Sequence, residues 1–429
     1  MKVHPQHTIC IQGGHVFDPA QGLDGVMDIF IENDAIVALG TAPQGFMAGE
    51  TIQAKGQHVF PGFIDTSGFL AEPGFNQKGT IEKETQAAAR SGITLICSTP
   101  NTKPVVDSSA VAALIQDKAK QAGYCQVKPF GALTAGLEGE QLSNMHGLKE
   151  AGCKALSQMG YPFKDARVIK QCYHYAAGFD ITVVVTPKDH ALAQGGCMAE
   201  GSTSTRLGLA GIAESAETSA LAQHIILAKE TGVKLHVSRI NSATALNMIL
   251  DAQQKGVRIS ADVALGNLVY TNEDCIGYDS LMHVVPVYRS EQDRQALLNA
   301  VNQGQIGICS NHMPHDLAAK MAPFAASEPG ISTYDTFAGV LLDLVAKGEL
   351  TLEGAIQAVA SQPANVLGIK RSGIQLEAQA NLCIADLNAA TQVTEQTMAS
   401  GGANNPWLEQ RLKGAVTCTI NGGHIVFRS

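Results

Sequence analysis

Short apolar runs alternate with longer periodic segments along most of the chain, and this pattern predicts a mixed α/β protein. The short runs are rich in Val, Ile and Cys, whereas the longer segments repeat their apolar residues at helical spacing. Such alternation is typical of βα units and of a parallel sheet. The predicted strands cover residues 59–64, 93–97, 127–132, 154–156, 181–185, 234–237, 258–261 and 306–309.

The helical segments between these strands are marked by glycine at their ends. Glycine there can adopt the left-handed conformation that ends a helix. With roughly eight βα repeats between residues 58 and 370, the pattern predicts a (β/α)8 barrel of the TIM type. The glycines that end the predicted helices are Gly92, Gly123, Gly178, Gly232, Gly256 and Gly304.

The two ends of the chain resemble each other. Each has a β-rich run with a Gly-Gly pair, at Gly13-Gly14 and at Gly422-Gly423, which predicts a hairpin turn in both places. We therefore expect residues 1–57 and 371–429 to form one small β-sandwich domain and residues 58–370 to form the barrel. His15 and His424 directly follow the glycine pairs and are interpreted as residues beside turns rather than as ligands.

Composition narrows the classes of function. The chain has 429 residues, of which 45% are hydrophobic, and its formal net charge of −9 argues against nucleic-acid partners and anionic membrane surfaces. No apolar run approaches the ~20 residues of a membrane helix, and the first residues lack the apolar core of a signal peptide. The ten cysteines include no C-x-x-C pair, which favours reduced thiols in the cytoplasm.

In a barrel of this type the reactive groups lie at the carboxyl ends of the strands and in the loops that follow. The residues there resemble those of dihydroorotases, which are members of the amidohydrolase superfamily, and the similarity runs in order over nearly the whole chain. The matching segments are Pro61-Gly62-Phe63-Ile64-Asp65, Glu72-Pro73-Gly74-Phe75, Pro100-Asn101-Thr102-Lys103-Pro104, Arg206-Leu207-Gly208-Leu209, His312-x-Pro314-His315 and Pro363-Ala364-Asn365-Val366-Leu367-Gly368.

Active members of that family hold one or two zinc ions that activate a water for attack on an amide carbon. The resemblance implies histidines at two positions after the first strand, a carboxylate or carbamylated lysine within residues 157–159, histidines ending the fifth and sixth strands, and an aspartate after the eighth. None of the residues present is a usual zinc donor. The resemblance therefore predicts no metal, no cofactor and no catalytic residue at Ser67, Phe69, Gln158, Thr186, Arg239 and Asn311.

The substrate contacts that the resemblance implies are also altered. The arginine that would hold the dihydroorotate carboxylate is replaced by Ala71, and an expected asparagine is replaced by Val285. Asn101 and His315 do match substrate-binding residues of the family. Two polar residues without the arginine or the metal make a poor dihydroorotate site, so no substrate-binding residue is assigned.

Three further histidines and Arg239 need an interpretation. His312 and His315 on one loop lack further donors for a metal, so we interpret them as bonded to neighbours, and His236 in the sixth strand as packed. A buried arginine is costly without a partner. We therefore expect Arg239 to pair with a carboxylate, with Asp65, Asp189 and Asp262 as candidates.

Two functions from different classes remain. The resemblance is greatest to the inactive dihydroorotase-like chain that assembles with aspartate carbamoyltransferase in bacterial pyrimidine biosynthesis, in a heterododecamer of six chains of each kind. In this interpretation the protein is not an enzyme, and the transferase chain is its partner. The alternative is an amidohydrolase with altered or single-metal chemistry on a cyclic amide, using His312, His315 and Asp65 for acid–base work.

Overall fold

The computed structural model describes residues 7–429 and shows a mixed α/β protein, as the hydrophobic pattern predicts. Two chain ends rich in strands flank a central region in which strands and helices alternate. The strands are β1 Thr8–Asp18, β2 Leu23–Glu32, β3 Ala35–Leu39, β4 Glu50–Gln53, β5 His58–Pro61, β6 Phe63–Gly68, β7 Ile93–Ser98, β8 Gln126–Val127, β9 Gly131–Ala132, β10 Ala155–Met159, β11 Thr182–Val185, β12 Met198–Ala199, β13 Gly211–Ile212, β14 Leu235–Val237, β15 Ile259–Ala264, β16 Gly307–Cys309, β17 Leu382–Gln392, β18 Arg411–Asn421 and β19 His424–Arg428.

Helices follow most strands of the central region, and several begin with a side chain that accepts a backbone N–H. Thr80, Asp165 and Ser242 cap their helices in this way, which satisfies donors that the helix itself leaves free. The α-helices are α1 Ile81–Arg90, α2 Ser109–Ala122, α3 Met145–Glu150, α4 Ala166–Gly178, α5 Ser202–Leu207, α6 Ser215–Thr231, α7 Ala243–Gln254, α8 Glu291–Asn302, α9 Phe337–Ala346, α10 Leu352–Ile356 and α11 Gln362–Val366, with a π-helical turn at Gln357–Ser361.

The two ends of the chain share one eight-stranded sheet. Its order is β19-β18-β17-β5-β1-β2-β3, and β4 pairs in parallel with β1 outside this path. Strand β5 joins the ends, because it pairs with β1 on one side and with β17 on the other. Fully buried isoleucines from both ends, including Ile11, Ile31 and Ile420, form the core of this sheet. We call this the terminal sheet.

The Gly-Gly pair near the amino terminus does not form the predicted hairpin turn. Gly13 and Gly14 lie inside β1, where the register with β2 shifts between Ile11 and Gly14, so the pair forms a β-bulge. A Cβ on Gly14 would lie 2.6 Å from a methyl group of Val59, so the close packing of β5 requires glycine there. The second pair, Gly422-Gly423, does connect β18 to β19, as predicted.

The central strands pair in parallel and form two sheets. One has the order β16-β15-β14-β11-β10-β9 and the other the order β6-β7-β8. Segment 126–132 carries strands of both sheets, and a single parallel bridge joins Gly68 at the end of β6 to His312 after β16. The predicted strand over residues 59–64 is in fact divided: β5 belongs to the terminal sheet and β6 to the central strands, with Gly62 between them.

The described chain holds no disulfide, because all ten cysteines are free and buried. Among residues 7–429, no helix is long and apolar enough to span a bilayer.

Candidate functional site at the carboxyl ends of the parallel strands

The predicted site positions lie where the central strands end, and the backbone there has an unusual conformation. Four residues without the freedom of glycine have positive φ: Ala71 at 61°, Met159 at 53°, Arg239 at 62° and Asn311 at 50°. L-residues adopt this left-handed region at a cost, and such residues cluster at functional sites. The backbone at these strand ends is thus strained at four positions, and the side chains decide what the region can bind.

Arg239 joins three of the predicted positions. Its guanidinium donates one hydrogen bond to Asn311 Oδ1 and another to Thr186 Oγ1, both at 2.8 Å. Burial lowers the pKa of this guanidinium. A cavity of about 50 Å³ lies beside it, between the ends of β11 and β14 and the segment Val285–Val287, and a separate cavity of about 360 Å³ lies at the ends of β10 and β11, lined by Met159 and Thr186. The side chains at the three strand ends are therefore bonded to each other rather than arranged around a ligand.

The prediction that Arg239 forms an ion pair with Asp65, Asp189 or Asp262 is wrong. Within residues 7–429, no carboxylate oxygen lies within the 4.0 Å salt-bridge distance of its guanidinium, and the Nε atom is buried without a hydrogen-bond partner. Asp65 instead bonds Ser310 and Tyr334, and Asp189 accepts the backbone N–H groups of residues 191 and 192. Asp262 does bond Arg239, but it accepts the backbone N–H of that residue, at 2.6 Å, and not the guanidinium.

Asp262 is not available to the guanidinium because four donors already surround its carboxylate. One oxygen accepts from the Arg239 backbone and Ser238, and the other accepts from Thr66 and lies 2.8 Å from His236 Nε2. Burial alone would raise the pKa of Asp262, but His236 and these hydrogen bonds lower it to about 2. Because His236 is almost fully buried and bonded to Asp262 and Ser260, it belongs to the packed interior.

The other three positions of the implied metal site, Ser67, Phe69 and Gln158, each contact different neighbours. Ser67 donates its backbone N–H to Asp65, and the Phe69 ring is buried beside Phe75 with a centroid distance of 5.8 Å. The Gln158 amide accepts from Thr134 Oγ1 at 2.9 Å and donates to the Leu137 carbonyl at 3.0 Å. Gln158 therefore anchors the loop after β9 and makes no hydrogen bond to Arg239.

His312 lies in a buried polar cluster behind the strand ends. Its Nδ1 accepts the backbone N–H of Thr333 at 3.0 Å, so its Nε2–H donates to Glu84 at 2.9 Å. The ring stacks on Tyr334 with a centroid distance of 3.8 Å. Glu84, from α1, also accepts from Ser400 and Gly401. Both ring nitrogens are occupied by neighbours, as the sequence analysis expects of this loop.

The four positions where the resemblance implies substrate contacts differ in their surroundings. His315 bonds the Pro329 carbonyl through Nε2 at 3.0 Å and lies 3.1 Å from Lys78 through Nδ1. Asn101 carries a buried Oδ1 without a hydrogen-bond partner. Ala71 is completely buried, whereas Val285 is 38% exposed and accepts Asn311 Nδ2 through its carbonyl. The structure does not bring Asn101 and His315 into one hydrogen-bonded set.

The residues at the strand ends do not fit a zinc site. Within residues 7–429, no group of three or more His, Cys, Asp or Glu side chains is placed to hold a metal ion. Arg239 brings a positive charge to the centre of the expected site, and Thr186 and Asn311 use their oxygen atoms to bind it.

Sequence reasoning missed the two carboxylates that organise this region, Asp262 and Glu84. Asp262 is placed only as one candidate partner of Arg239, and Glu84 is not considered. A signal exists for Asp262, which directly follows the predicted strand 258–261, whereas Glu84 shares its predicted helix with Glu82 and is not singled out by the sequence. Their histidine partners are 26 and 228 residues away in sequence, which no local pattern reveals.

Comparison with solved structures defines the class of fold. The structure superposes on the solved L-hydantoinase (dihydropyrimidinase) of Arthrobacter aurescens with a TM-score of 0.88, covering 98% of this chain and 96% of that one at 20% identity. A solved D-hydantoinase matches with a TM-score of 0.82, also at 20% identity, covering 98% of this chain and 95% of that one. At this identity the likeness establishes the fold: an α/β protein of the hydantoinase and dihydropyrimidinase type.

Sequence comparison gives the family. A family model described as "Dihydro-orotase-like" matches residues 56–245. The chain is 42% identical to a "Dihydroorotase-like protein" of Pseudomonas aeruginosa over 97% of its length and 99% of that protein. It is 36% identical to a "Dihydroorotase" of Trichlorobacter lovleyi over 98% and 99% of the two chains. The chain belongs to the dihydroorotase-like family.

Proposed function

We propose that this protein is a catalytically inactive member of its family that supports aspartate carbamoyltransferase in pyrimidine biosynthesis as a non-catalytic subunit. The observation that carries the proposal is the Arg239 guanidinium bonded to Thr186 and Asn311. These are three positions where the resemblance implies metal ligands. A cation in place of a dication-binding site removes the means of activating water there.

We also infer that the two sheets of central strands form one closed (β/α)8 barrel, and that residues 1–57 and 371–429 form the small β domain, to whose terminal sheet β5 at His58–Pro61 also belongs. Three observations support closure. Segment 126–132 pairs with β7 through β8 and with β10 through β9, and Gly68 pairs with His312 on the opposite side. The backbone N–H of Phe69 also donates to the His312 carbonyl at 2.9 Å.

The chemistry of the replacements supports loss of activity rather than a change of substrate. Histidines and carboxylates crowded together are stable when a metal compensates them, and they are costly without it. Hydrogen bonds among Arg239, Thr186 and Asn311 partly replace that compensation without a metal. Neither Asp65 nor His312 is free for acid–base work, because neighbouring groups already occupy both side chains.

Metal content and cyclisation of carbamoyl aspartate test the inactive state. We expect purified protein to contain less than stoichiometric zinc by elemental analysis and to cyclise carbamoyl aspartate no faster than buffer does. The control is an active zinc-dependent dihydroorotase purified in the same way. One tightly held zinc per chain with turnover above background would support the alternative, an amidohydrolase of altered or single-metal chemistry. That result would overturn the proposal.

Co-expression tests the partner. We expect this chain and the aspartate carbamoyltransferase catalytic chain of the same organism to co-purify as a large complex. Light scattering should give the mass of six chains of each kind. Transferase activity should fall when this chain is omitted, and adding it back should restore activity. Separate elution of the two chains with full transferase activity would contradict the partnership. The reduced state of the ten buried thiols agrees with a cytoplasmic location for such a complex.

A further inference from the structure

A large cavity lies at the opposite ends of the central strands, away from Arg239. Its volume is about 620 Å³, within the usual range of ligand pockets. One wall consists of the starts of the central strands, at Gly62, Thr94, Gln126 and Lys154. The other walls come from the π-helical turn, from the turn after β1 and from the loop 368–373. Neither the family resemblance nor the proposed function assigns a role to this space.

The loop 368–373 is held in place by a side chain from the other end of the sequence. Asp18 accepts the backbone N–H of Ile374 at 2.7 Å and that of Ala20 at 3.1 Å. Gly373 has φ of 91°, and a Cβ there would lie 2.5 Å from the Asp18 carboxylate. Because Asp18 is 2% exposed and committed to these backbone groups, it shapes the cavity wall without facing a ligand as a free charge.

Four cationic side chains line this cavity against two carboxylates, Asp18 and Glu377. Lys128, Lys154 and Lys370 all line it, and in the described part of the chain none has a carboxylate within ion-pair distance. The Lys128 ammonium contacts only the neutral amide of Gln116, at 3.4 Å. A fourth cation, Arg371, is paired with Glu377. Three unpaired cations in one cavity are notable in a protein with a net charge of −9.

Neutral amides complete the lining. The Gln126 amide donates to Gln379 Oε1 at 2.9 Å, and Asn381 Nδ2 donates to the same oxygen at 3.3 Å. The π-helical turn Gln357–Ser361 lines a further side, and such turns are frequent at functional sites. The volume exceeds what an inorganic ion needs. The lining therefore suits a polar organic molecule that carries a cluster of negative charge.

We propose that this cavity binds a small molecule with a polyphosphate group, whose charges are met by Lys128, Lys154 and Lys370. Ammonium groups bind phosphate as point charges, and one polyphosphate supplies three or more negative charges, whereas each carboxylate supplies one. The proposal is independent of the proposed function, because it concerns the opposite ends of the strands and can be tested on the isolated chain.

Calorimetric titration of the purified full-length chain tests the site, with ATP, inorganic pyrophosphate and adenosine as separate probes. We expect ATP to bind and adenosine not to bind. Binding of pyrophosphate as tightly as ATP would assign the site to the polyphosphate alone, whereas tighter binding of ATP would show that the organic body contributes. Added salt should weaken binding, since the contacts are between partly exposed charges.

Charge reversal locates the site. Lys154→Glu combined with Lys370→Glu should weaken ATP binding by about tenfold or more. The matched control is Lys229→Glu, which changes an exposed lysine of α6 outside the cavity and should leave binding unchanged. Both variants should keep the circular dichroism spectrum of the parent, since all three lysines are exposed. Failure of ATP and pyrophosphate to bind at millimolar concentration would overturn the proposal, and so would binding that survives the double reversal.

Discussion

The two ends of the central parallel strands differ in how their polar side chains are satisfied. At the carboxyl ends, Arg239, Thr186 and Asn311 bond to each other; about 50 Å³ of space is left beside them, and a separate cavity of about 360 Å³ lies at the ends of β10 and β11. At the amino ends, three lysines face a cavity of about 620 Å³ without carboxylate partners in the described chain. The comparison teaches that a pocket can be closed by cross-bonding among its own side chains, and that the same strands can leave a second pocket open.

The largest loss of stability is expected from a change of Asp262, the buried carboxylate that bonds the Arg239 backbone. Asp262→Asn should reduce the free energy of unfolding by about 3 to 5 kcal/mol, because it removes a buried charge that Thr66, His236 and the Arg239 backbone all bind. Urea unfolding measures this. The matched control is Asp251→Asn, an exposed partner of Lys255, which should cost no more than about 0.5 kcal/mol. Equal effects of the two changes would contradict the central role of Asp262.

Lowering the pH should reduce the difference in unfolding free energy between the parent protein and Asp262→Asn. The pKa of Asp262 is lowered from 3.8 to about 2 in the folded protein, so its contribution to stability is present above pH 3.8 and is lost as the pH falls towards 2. The gap in unfolding free energy between the parent and Asp262→Asn should therefore shrink by about 2 kcal/mol from pH 5 to pH 2. Denaturant curves across this range check it, and a gap that stays constant would refute the assignment.

Removing the hydrogen bonds from Arg239 to Thr186 and Asn311 should reduce stability by less. Arg239→Met should lower the free energy of unfolding by about 1 to 2 kcal/mol, since Thr186 and Asn311 lose a donor while the cost of burying the guanidinium is relieved. Arg206→Met is the control, because Arg206 is exposed and forms a surface pair with Glu273 at 3.3 Å. A more stable Arg239→Met variant would mean that burial of the charge outweighs its hydrogen bonds.

The smallest effect is expected at the open end. In the absence of ligand, Lys154→Ala and Lys370→Ala should each change the free energy of unfolding by less than about 0.5 kcal/mol, because neither side chain has an ion-pair partner to lose. Thermal unfolding of both variants beside the parent measures this. A loss comparable with that of Arg239→Met would show that the open end is also internally bonded, and the contrast between the ends would disappear.

The sequence predicts the strand and helix alternation well because both depend on local spacing of apolar residues. It also places Thr186, Arg239 and Asn311 at the ends of strands, where the structure brings them together. The sequence does not predict which groups the Arg239 guanidinium bonds. Whether Asp262 is free depends on Thr66, His236 and Ser238, and Thr66 is 196 residues away.

Other misses have similar causes. The sequence at Gly13-Gly14 is compatible with a turn and with a bulge, and only the packing of Val59 against Gly14 selects the bulge. The cavity at the amino ends of the strands was missed because the resemblance directs attention to the carboxyl ends. A local signal was available, since Lys154 directly precedes a strand and Lys128 directly follows one.

The terminal sheet sets a constraint on how this protein is made. Strands β1 to β5 can pair among themselves early, but β5 needs β17 as its second neighbour and β17 needs β18, so these strands keep one open edge until almost the entire polypeptide has left the ribosome. Their unpaired edge has to be kept from other chains during that interval. Translation must therefore finish before this sheet can be complete, and a nascent chain that stalls late would carry an exposed edge prone to aggregation.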